Sequence, residues 1–131
     1  MCQDSSGTVR FSAGDSYCLT FPDVRLAIAA VECLAEEWRA PGRREGSLCP
    51  MSLAMHKGVL YAFRDFLYGR DLNIAAQVER FASRQSPGDT VIFVTRPVWR
   101  DLVGSAWDKR FQRVDVISSA ADIEIYRLGN C

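Results

Sequence analysis

The feature that most constrains this chain is a continuous apolar run, Val91-Ile92-Phe93-Val94, closed by Thr95. The run has no polar alternation, so both faces of the strand that it predicts should be buried. Pro97 follows at a position that suits the first turn of a helix, where a missing backbone N–H costs little. A second strand is predicted over residues 114–118. The segment 90–116 is therefore predicted to form a right-handed β-α-β crossover with parallel strands.

The segments on either side of this unit complete the predicted architecture. Residues 8–12 and 16–21 alternate in polarity around Ala13-Gly14-Asp15 and predict an N-terminal β-hairpin. Apolar residues at helical spacing predict three central helices, which begin near Asp23, Ser52 and Asp71 and end near residues 39, 68 and 85. Residues 123–128 alternate again and predict a last strand, antiparallel to the one before it.

These elements predict an α+β fold with a mixed sheet, in the order ββαααβαββ. The N-terminal hairpin is followed by three central helices and then by a C-terminal β-α-β-β unit. The length of 131 residues suits one domain, which we expect to span residues 1–131 with frayed ends at 1–7 and 129–131.

Cysteine usage and apolar runs bear on the compartment. Five cysteines lie far apart and no Cys-x-x-Cys occurs, which argues against both a disulfide framework and a zinc knuckle. Cys33 lies in an apolar helical pattern and is predicted to be a small core residue. No signal-peptide pattern and no apolar run of about 18 residues is present. We therefore expect a reduced, cytoplasmic protein with no membrane contact.

Charge is balanced, with 16 basic and 16 acidic residues, so no net field attracts nucleic acid to the whole molecule. One basic loop, residues 39–50, keeps nucleic-acid binding open as an alternative. Its candidate contacts are Arg39, Arg43 and Arg44. We do not expect nucleic acid to be the main partner.

The junction Thr95-Arg96-Pro97 is the best candidate for a small-ligand site. It lies where a buried strand leads into the N-terminus of a helix, a place that favours anions. Thr95 would offer a hydroxyl and Arg96 a bidentate clamp for phosphate or carboxylate. The alternative is that Thr95 or Arg96 merely begins the helix and that Arg96 pairs with an acid such as Asp122.

Catalytic motifs do not emerge from the sequence. The single histidine, His56, is interpreted as a structural or surface residue, because a Cys49–His56 pair requires the loop between them to turn back. Asp71 is interpreted as a helix cap. Neither a G-x-S-x-G pattern nor a glycine-rich phosphate loop occurs. The sequence therefore predicts no cofactor and no metal site, and it leans against an enzyme.

The second predicted helix suggests a surface for another protein. Tyr61 and Tyr68 lie beside its apolar stripe and Met55 lies near its start, and these residue types are enriched at protein interfaces. The leading hypothesis is a non-catalytic intracellular interaction or regulatory domain, whose partner is another protein or a second copy in a homodimer. The alternatives are a small anionic-ligand binder or enzyme at residues 95–97, and a nucleic-acid binder through the basic loop.

Overall fold

A computed structural model describes residues 7–13, 16–39, 51–64, 66–85, 90–118 and 122–129. A one-turn 3₁₀ helix, Asp108–Arg110, precedes the seventh strand. The strands and helices are β1 (Thr8–Ala13), β2 (Ser16–Thr20), α1 (Val24–Arg39), β3 (Ser52–Met55), β4 (Tyr61–Phe63), β5 (Phe66–Tyr68), α2 (Arg70–Gln85), β6 (Val91–Thr95), α3 (Arg96–Leu102), β7 (Phe111–Ser118) and β8 (Asp122–Leu128).

The main sheet has four strands in the order β3-β6-β8-β7. β3 and β6 are parallel, whereas β8 is antiparallel to both of its neighbours, β6 and β7. β6 and β7 therefore point the same way, and β8 lies between them. The predicted α+β class, the mixed sheet and the antiparallel last strand are confirmed, and the order of elements agrees with the prediction in outline.

β6 is one of the two inner strands of this sheet, and all five of its residues are buried. One face of the sheet carries Ile92 and Val94 and packs against α1 and α3. The other face carries Val91 and Phe93 and packs against α2, whose buried residues are Ile74, Val78 and Ala82. Helices cover both sides of this strand, and its unbroken apolar run suits burial on both faces.

The segment 52–68 differs from the prediction of a second central helix. It forms the short strand β3, which pairs with β6, and then the β4–β5 hairpin, which pairs only with itself among the described residues. Valine, tyrosine and phenylalanine between residues 59 and 68 favour extended backbone, and this preference outweighs the helical spacing of the apolar residues. Arg64 has a φ of 55° at the hairpin turn, the sign that tight primed turns need.

Helix α1 begins as predicted, since the Asp23 carboxylate accepts a hydrogen bond from the Arg25 backbone N–H at 3.1 Å. Cys33 lies on this helix, partly buried and disulfide-bonded. The expectation of a reduced, cytoplasmic protein rested in part on the dispersed cysteines, and it stays a prediction. None of the helices in the described part of the chain is long and apolar enough to cross a membrane.

Core packing on the α1 side of the sheet generates a first test. Ile28 is fully buried in the α1–α3 cluster, whereas Leu26 on the same helix is 40% exposed. We expect Ile28→Ala to lower the free energy of unfolding by about 2–5 kcal/mol, because it leaves a cavity in the core. The matched variant Leu26→Ala should cost less than about 1 kcal/mol in the same urea titration. Equal losses for the two variants would contradict this packing.

Candidate functional site

Two parallel strands, β3 and β6, end side by side, and a polar side chain lies at the carboxyl end of each. The register pairs Met55 with Val94, so that His56 and Thr95 come next on neighbouring strands. In open sheets with parallel strands, ligands bind beyond the carboxyl ends of those strands. The topology thus brings together a histidine and a threonine that are 39 residues apart in sequence.

The Thr95 hydroxyl lies 2.7 Å from His56 Nδ1. Thr95 is fully buried. It occupies the N-cap position of α3, yet its side chain makes no capping hydrogen bond. The hydroxyl bonds the imidazole instead of the helix end. The prediction that Thr95 stands at the strand-to-helix junction is therefore correct in place, but its side chain points to a partner that the sequence did not suggest.

The second ring nitrogen of His56, Nε2, lies 2.7 Å from Asp71 Oδ1. The other carboxylate oxygen, Oδ2, accepts a hydrogen bond from the Val59 backbone N–H at 2.9 Å. Asp71 lies in the first turn of α2, where sequence reasoning assigned it to capping. A hydroxyl–imidazole–carboxylate chain, Thr95–His56–Asp71, therefore links β6, β3 and α2.

Exposure rises along this chain from one end to the other. Thr95 is fully buried, the His56 side chain is 5% exposed and the Asp71 side chain is 28% exposed. A molecule that approaches from solvent therefore meets the carboxylate first. Thr95 is a positioning residue in this arrangement, because it touches the imidazole and not the solvent.

The surroundings of Asp71 favour its ionised form. Burial alone raises the pKa of Asp71. The hydrogen bonds from His56 and Val59 and the charges of His56 and Arg70 lower it by more than burial raises it, so the pKa lies below its ordinary value of 3.8. An ionised carboxylate only accepts hydrogen bonds, so His56 Nε2 carries a proton. The Thr95 hydroxyl donates to Nδ1 when His56 is neutral and accepts from it when His56 is an imidazolium.

Gly58 makes room for this carboxylate. A Cβ atom at position 58 would overlap the Cγ and Oδ2 atoms of Asp71. Any side chain there would displace Asp71 from His56 and Val59. The close approach supplies the reason for a glycine that sequence reasoning had placed inside a helix.

Each of the three hydrogen-bonded residues has a basic neighbour in sequence. Lys57 follows His56, Arg70 precedes Asp71 and Arg96 follows Thr95, and all three are exposed. Lys57 pairs with Asp101 at 2.6 Å, and Arg96 pairs with Glu124 at 3.3 Å, where Asp122 was the partner suggested from sequence. Exposed ion pairs of this kind contribute little stability, so an anionic ligand can compete for these cations.

The predicted interaction residues separate in the structure. Met55 is 8% exposed and belongs to the core, so its assignment to a surface is wrong: strand β3 points its side chain into the α1–α3 cluster. Tyr61 and Tyr68 are exposed and form a cross-strand pair in the β4–β5 hairpin. Their role in binding stays a prediction.

The nucleic-acid candidates lie largely outside the described residues. Arg43 and Arg44 fall there entirely, and of Arg39 only the backbone at the end of α1 is described. Across the described ranges, no three histidine, cysteine, aspartate or glutamate side chains are grouped so as to hold a metal ion.

Sequence reasoning missed His56 and Asp71 as site residues. The available signal was the strand Ser52–Met55 itself, which places the next residue at the carboxyl edge of the sheet beside Thr95. Because that segment was interpreted as a helix, the prediction lacked the strand that places His56 beside Thr95. Without His56 at that edge of the sheet, nothing marked Asp71 as a site residue.

Comparison with known proteins identifies a fold but no family. No protein-family model matches the chain, and no curated protein matches it either. A solved structure with the same fold is the crystal structure of an adenylate/guanylate cyclase/hydrolase from Silicibacter pomeroyi, with a TM-score of 0.73 and 14% sequence identity. The match covers 96% of this chain and 74% of that one. At this identity the likeness shows a shared fold.

The leading hypothesis of a non-catalytic interaction or regulatory domain is corrected by these findings. The fold occurs in a protein described as a cyclase/hydrolase. The hypothesis also rested on the lack of a catalytic constellation, and the hydrogen-bonded residues Thr95, His56 and Asp71 supply a candidate for one.

The lowered pKa of Asp71 generates a second test. The carboxylate should stabilise the fold at pH values above its unfolded-state pKa, and this stabilisation should be lost as pH falls through the lower, folded-state pKa. We therefore expect Asp71→Asn to be less stable than the wild type at pH 6, with a difference that shrinks toward pH 2 in thermal denaturation.

The control for this test is Asp101→Asn, which removes an exposed carboxylate that pairs with Lys57. Its stability should follow the wild-type pH profile closely. A constant difference between Asp71→Asn and the wild type from pH 6 to pH 2 would contradict the linkage.

Proposed function

We propose that this chain is an enzyme that acts on a small anionic substrate at the carboxyl edge of β3 and β6. The observation that carries the proposal is the placement of His56, whose two ring nitrogens each lie 2.7 Å from a hydrogen-bonding partner, Thr95 on one side and Asp71 on the other. In this proposal the proton enters and leaves through the partly exposed Asp71 carboxylate, His56 shares it across the hydrogen bond between Nε2 and Asp71 Oδ1, and Thr95 positions the ring.

The hydrogen bonds of His56 support proton transfer because they satisfy both protonation states of the ring. Neutral His56 donates from Nε2 to Asp71 and accepts from the Thr95 hydroxyl. Charged His56 donates from both nitrogens, and the same hydroxyl then accepts. In both states each ring nitrogen keeps a hydrogen-bonding partner, and this arrangement supports a role for His56 in proton transfer.

The anionic character of the substrate is supported by Lys57, Arg70 and Arg96, each adjacent in sequence to one member of the chain. Arg96 was the guanidinium predicted for this junction. Its present partner, Glu124, and the Asp101 partner of Lys57 are both partly exposed. A phosphate or carboxylate that displaced these acids would gain charge-assisted hydrogen bonds.

The fold relative narrows the choice of test compounds. That protein is described as an adenylate/guanylate cyclase/hydrolase, so adenine and guanine nucleotides are anionic compounds worth testing first. The likeness supports this choice of compounds, and the proposal for the chain itself rests on the residues at the sheet edge.

A direct test incubates the protein with adenosine and guanosine triphosphates and with their cyclic monophosphates, and separates the products by chromatography. We expect the wild type to convert at least one compound and His56→Gln to be at least about 100-fold slower, the usual range for loss of general acid–base catalysis. Glutamine keeps the polarity of the site but cannot exchange a proton near neutral pH.

The matched control is Arg80→Ala, which removes an exposed charge on α2 and should leave the rate unchanged. Conversion by His56→Gln at the wild-type rate would refute the assignment of His56. Saturable binding of a nucleotide without conversion would support the alternative of an anionic-ligand binder. If no compound is bound and none is converted, the proposal of a nucleotide-type anion site is overturned.

A further inference from the structure

The β4–β5 hairpin carries an aromatic face that the fold does not use. Side chains alternate across a strand, and cross-strand partners share a face. The register pairs Tyr61 with Tyr68 and Phe63 with Phe66, so all four rings lie on one face. Each ring residue is between 53% and 70% exposed. Four exposed aromatic residues on one short hairpin are a costly surface to leave in water.

The hairpin begins and ends at the candidate site. It leaves the sheet just after His56 and returns just before Asp71. The Val59 N–H at its start is bonded to the Asp71 carboxylate at 2.9 Å. Tyr61 is two residues further on, so its Cα lies within about 7 Å of the Val59 Cα. The aromatic face therefore begins within the length of one small molecule from the carboxylate.

The two tyrosines of this face form a preassembled pair. Their ring centroids are 5.6 Å apart and their planes differ by 21°. The Tyr61 ring lies over Gly69, where a Cβ would approach its Cδ2 to 3.2 Å and where φ is 135°. Arg70, the cation that precedes Asp71, is the next residue in sequence after Gly69.

The spacing of the pair decides how it can bind a flat group. A ring inserted between the two tyrosines would need about 7 Å, two contacts of about 3.5 Å each. The observed 5.6 Å is too narrow for this. A flat ligand must therefore stack on an outer ring face of the pair. Each of the two tyrosines is more than half exposed.

We propose that Tyr61 and Tyr68 form a stacking platform for an aromatic ring of the substrate, whose anionic group is bound at the proposed anion site, where the charge of Arg70 acts beside Asp71. This inference rests on the proposed function, and it names the substrate class: a flat aromatic ring joined to an anionic group, as in a nucleotide. Stacking on aromatic side chains tolerates any base because every base has a π face. The platform therefore recognises the ring, while the cations recognise the charge.

The inference is tested by calorimetric titration of the full chain with adenosine monophosphate, guanosine monophosphate, ribose 5-phosphate and inorganic phosphate. We expect the two nucleotides to bind more tightly than ribose 5-phosphate. Tyr61→Ala and Tyr68→Ala should each weaken nucleotide binding by about 5-fold to 100-fold, the loss that removal of one stacking ring causes. Neither variant should change the affinity for ribose 5-phosphate.

Matched variants separate stacking from other effects of the substitution. Tyr61→Phe and Tyr68→Phe keep the ring and should bind nucleotides within about twofold of the wild type, because stacking needs the π face and not the hydroxyl. Tyr17→Ala removes a tyrosine that is 68% exposed on β2, in the N-terminal hairpin, and should have no effect. Thermal denaturation of each variant checks that the fold persists.

The outcomes distinguish this inference from the proposed function. Equal affinity for nucleotides and ribose 5-phosphate, or unchanged nucleotide binding by the alanine variants, would overturn the platform while the anion site stands. Failure of all four compounds to bind would overturn both. Unchanged nucleotide affinity with a loss of self-association in light scattering, or of binding to phosphatidylcholine vesicles, would assign the aromatic face to another occupant and also overturn the platform.

Discussion

The bridge that His56 makes between Thr95 and Asp71 is the interaction on which the candidate site depends. It joins the ends of β3 and β6 to the first turn of α2, three segments that are not adjacent in sequence. A single buried hydrogen bond contributes only about 0.5–1.5 kcal/mol net, but leaving one partner unsatisfied costs about 1–3 kcal/mol. The three residues therefore act as a unit, because the loss of one side chain leaves a hydrogen-bonding group of its neighbour without a partner.

Several local features follow from this bridge. Position 58 is glycine because the Asp71 carboxylate occupies the space of a side chain. The hairpin begins where Val59 bonds the same carboxylate. Thr95 does not cap α3 because its hydroxyl is committed to the imidazole. One buried ring thus fixes the geometry of the sheet edge, the start of the hairpin and the entry into α2.

The sequence predicted strand β6, the N-terminal hairpin, helix α1, the last strand and the α+β class because their signals are local and strong. The run from Val91 to Thr95 predicts a strand buried on both faces, and both faces are buried. Asp23 predicts the start of a helix and accepts the expected backbone hydrogen bond. Thr95 was also placed correctly at a strand-to-helix junction, where its hydroxyl could serve a site.

The rest of the site could not be predicted because it depends on pairing across the sheet. Residues 52–55 are too few to show a period, and only their contact with β6 makes them a strand. The aromatic residues of the hairpin fall at helical spacing as well as at alternating positions, so the pattern alone was ambiguous. Asp71 resembles a cap in sequence, and its link to His56 arises only when β3 and α2 come together.

The most direct measurement of the central claim is the ¹H–¹⁵N NMR spectrum of the imidazole, which is unambiguous because the chain has a single histidine. The structure predicts a slowly exchanging Nε2–H proton that is lost in Asp71→Ala, which removes the acceptor, and an Nδ1 resonance that shifts in Thr95→Val. A ring proton in fast exchange with water, with a spectrum that neither substitution changes, would contradict the bridge and the function proposed from it.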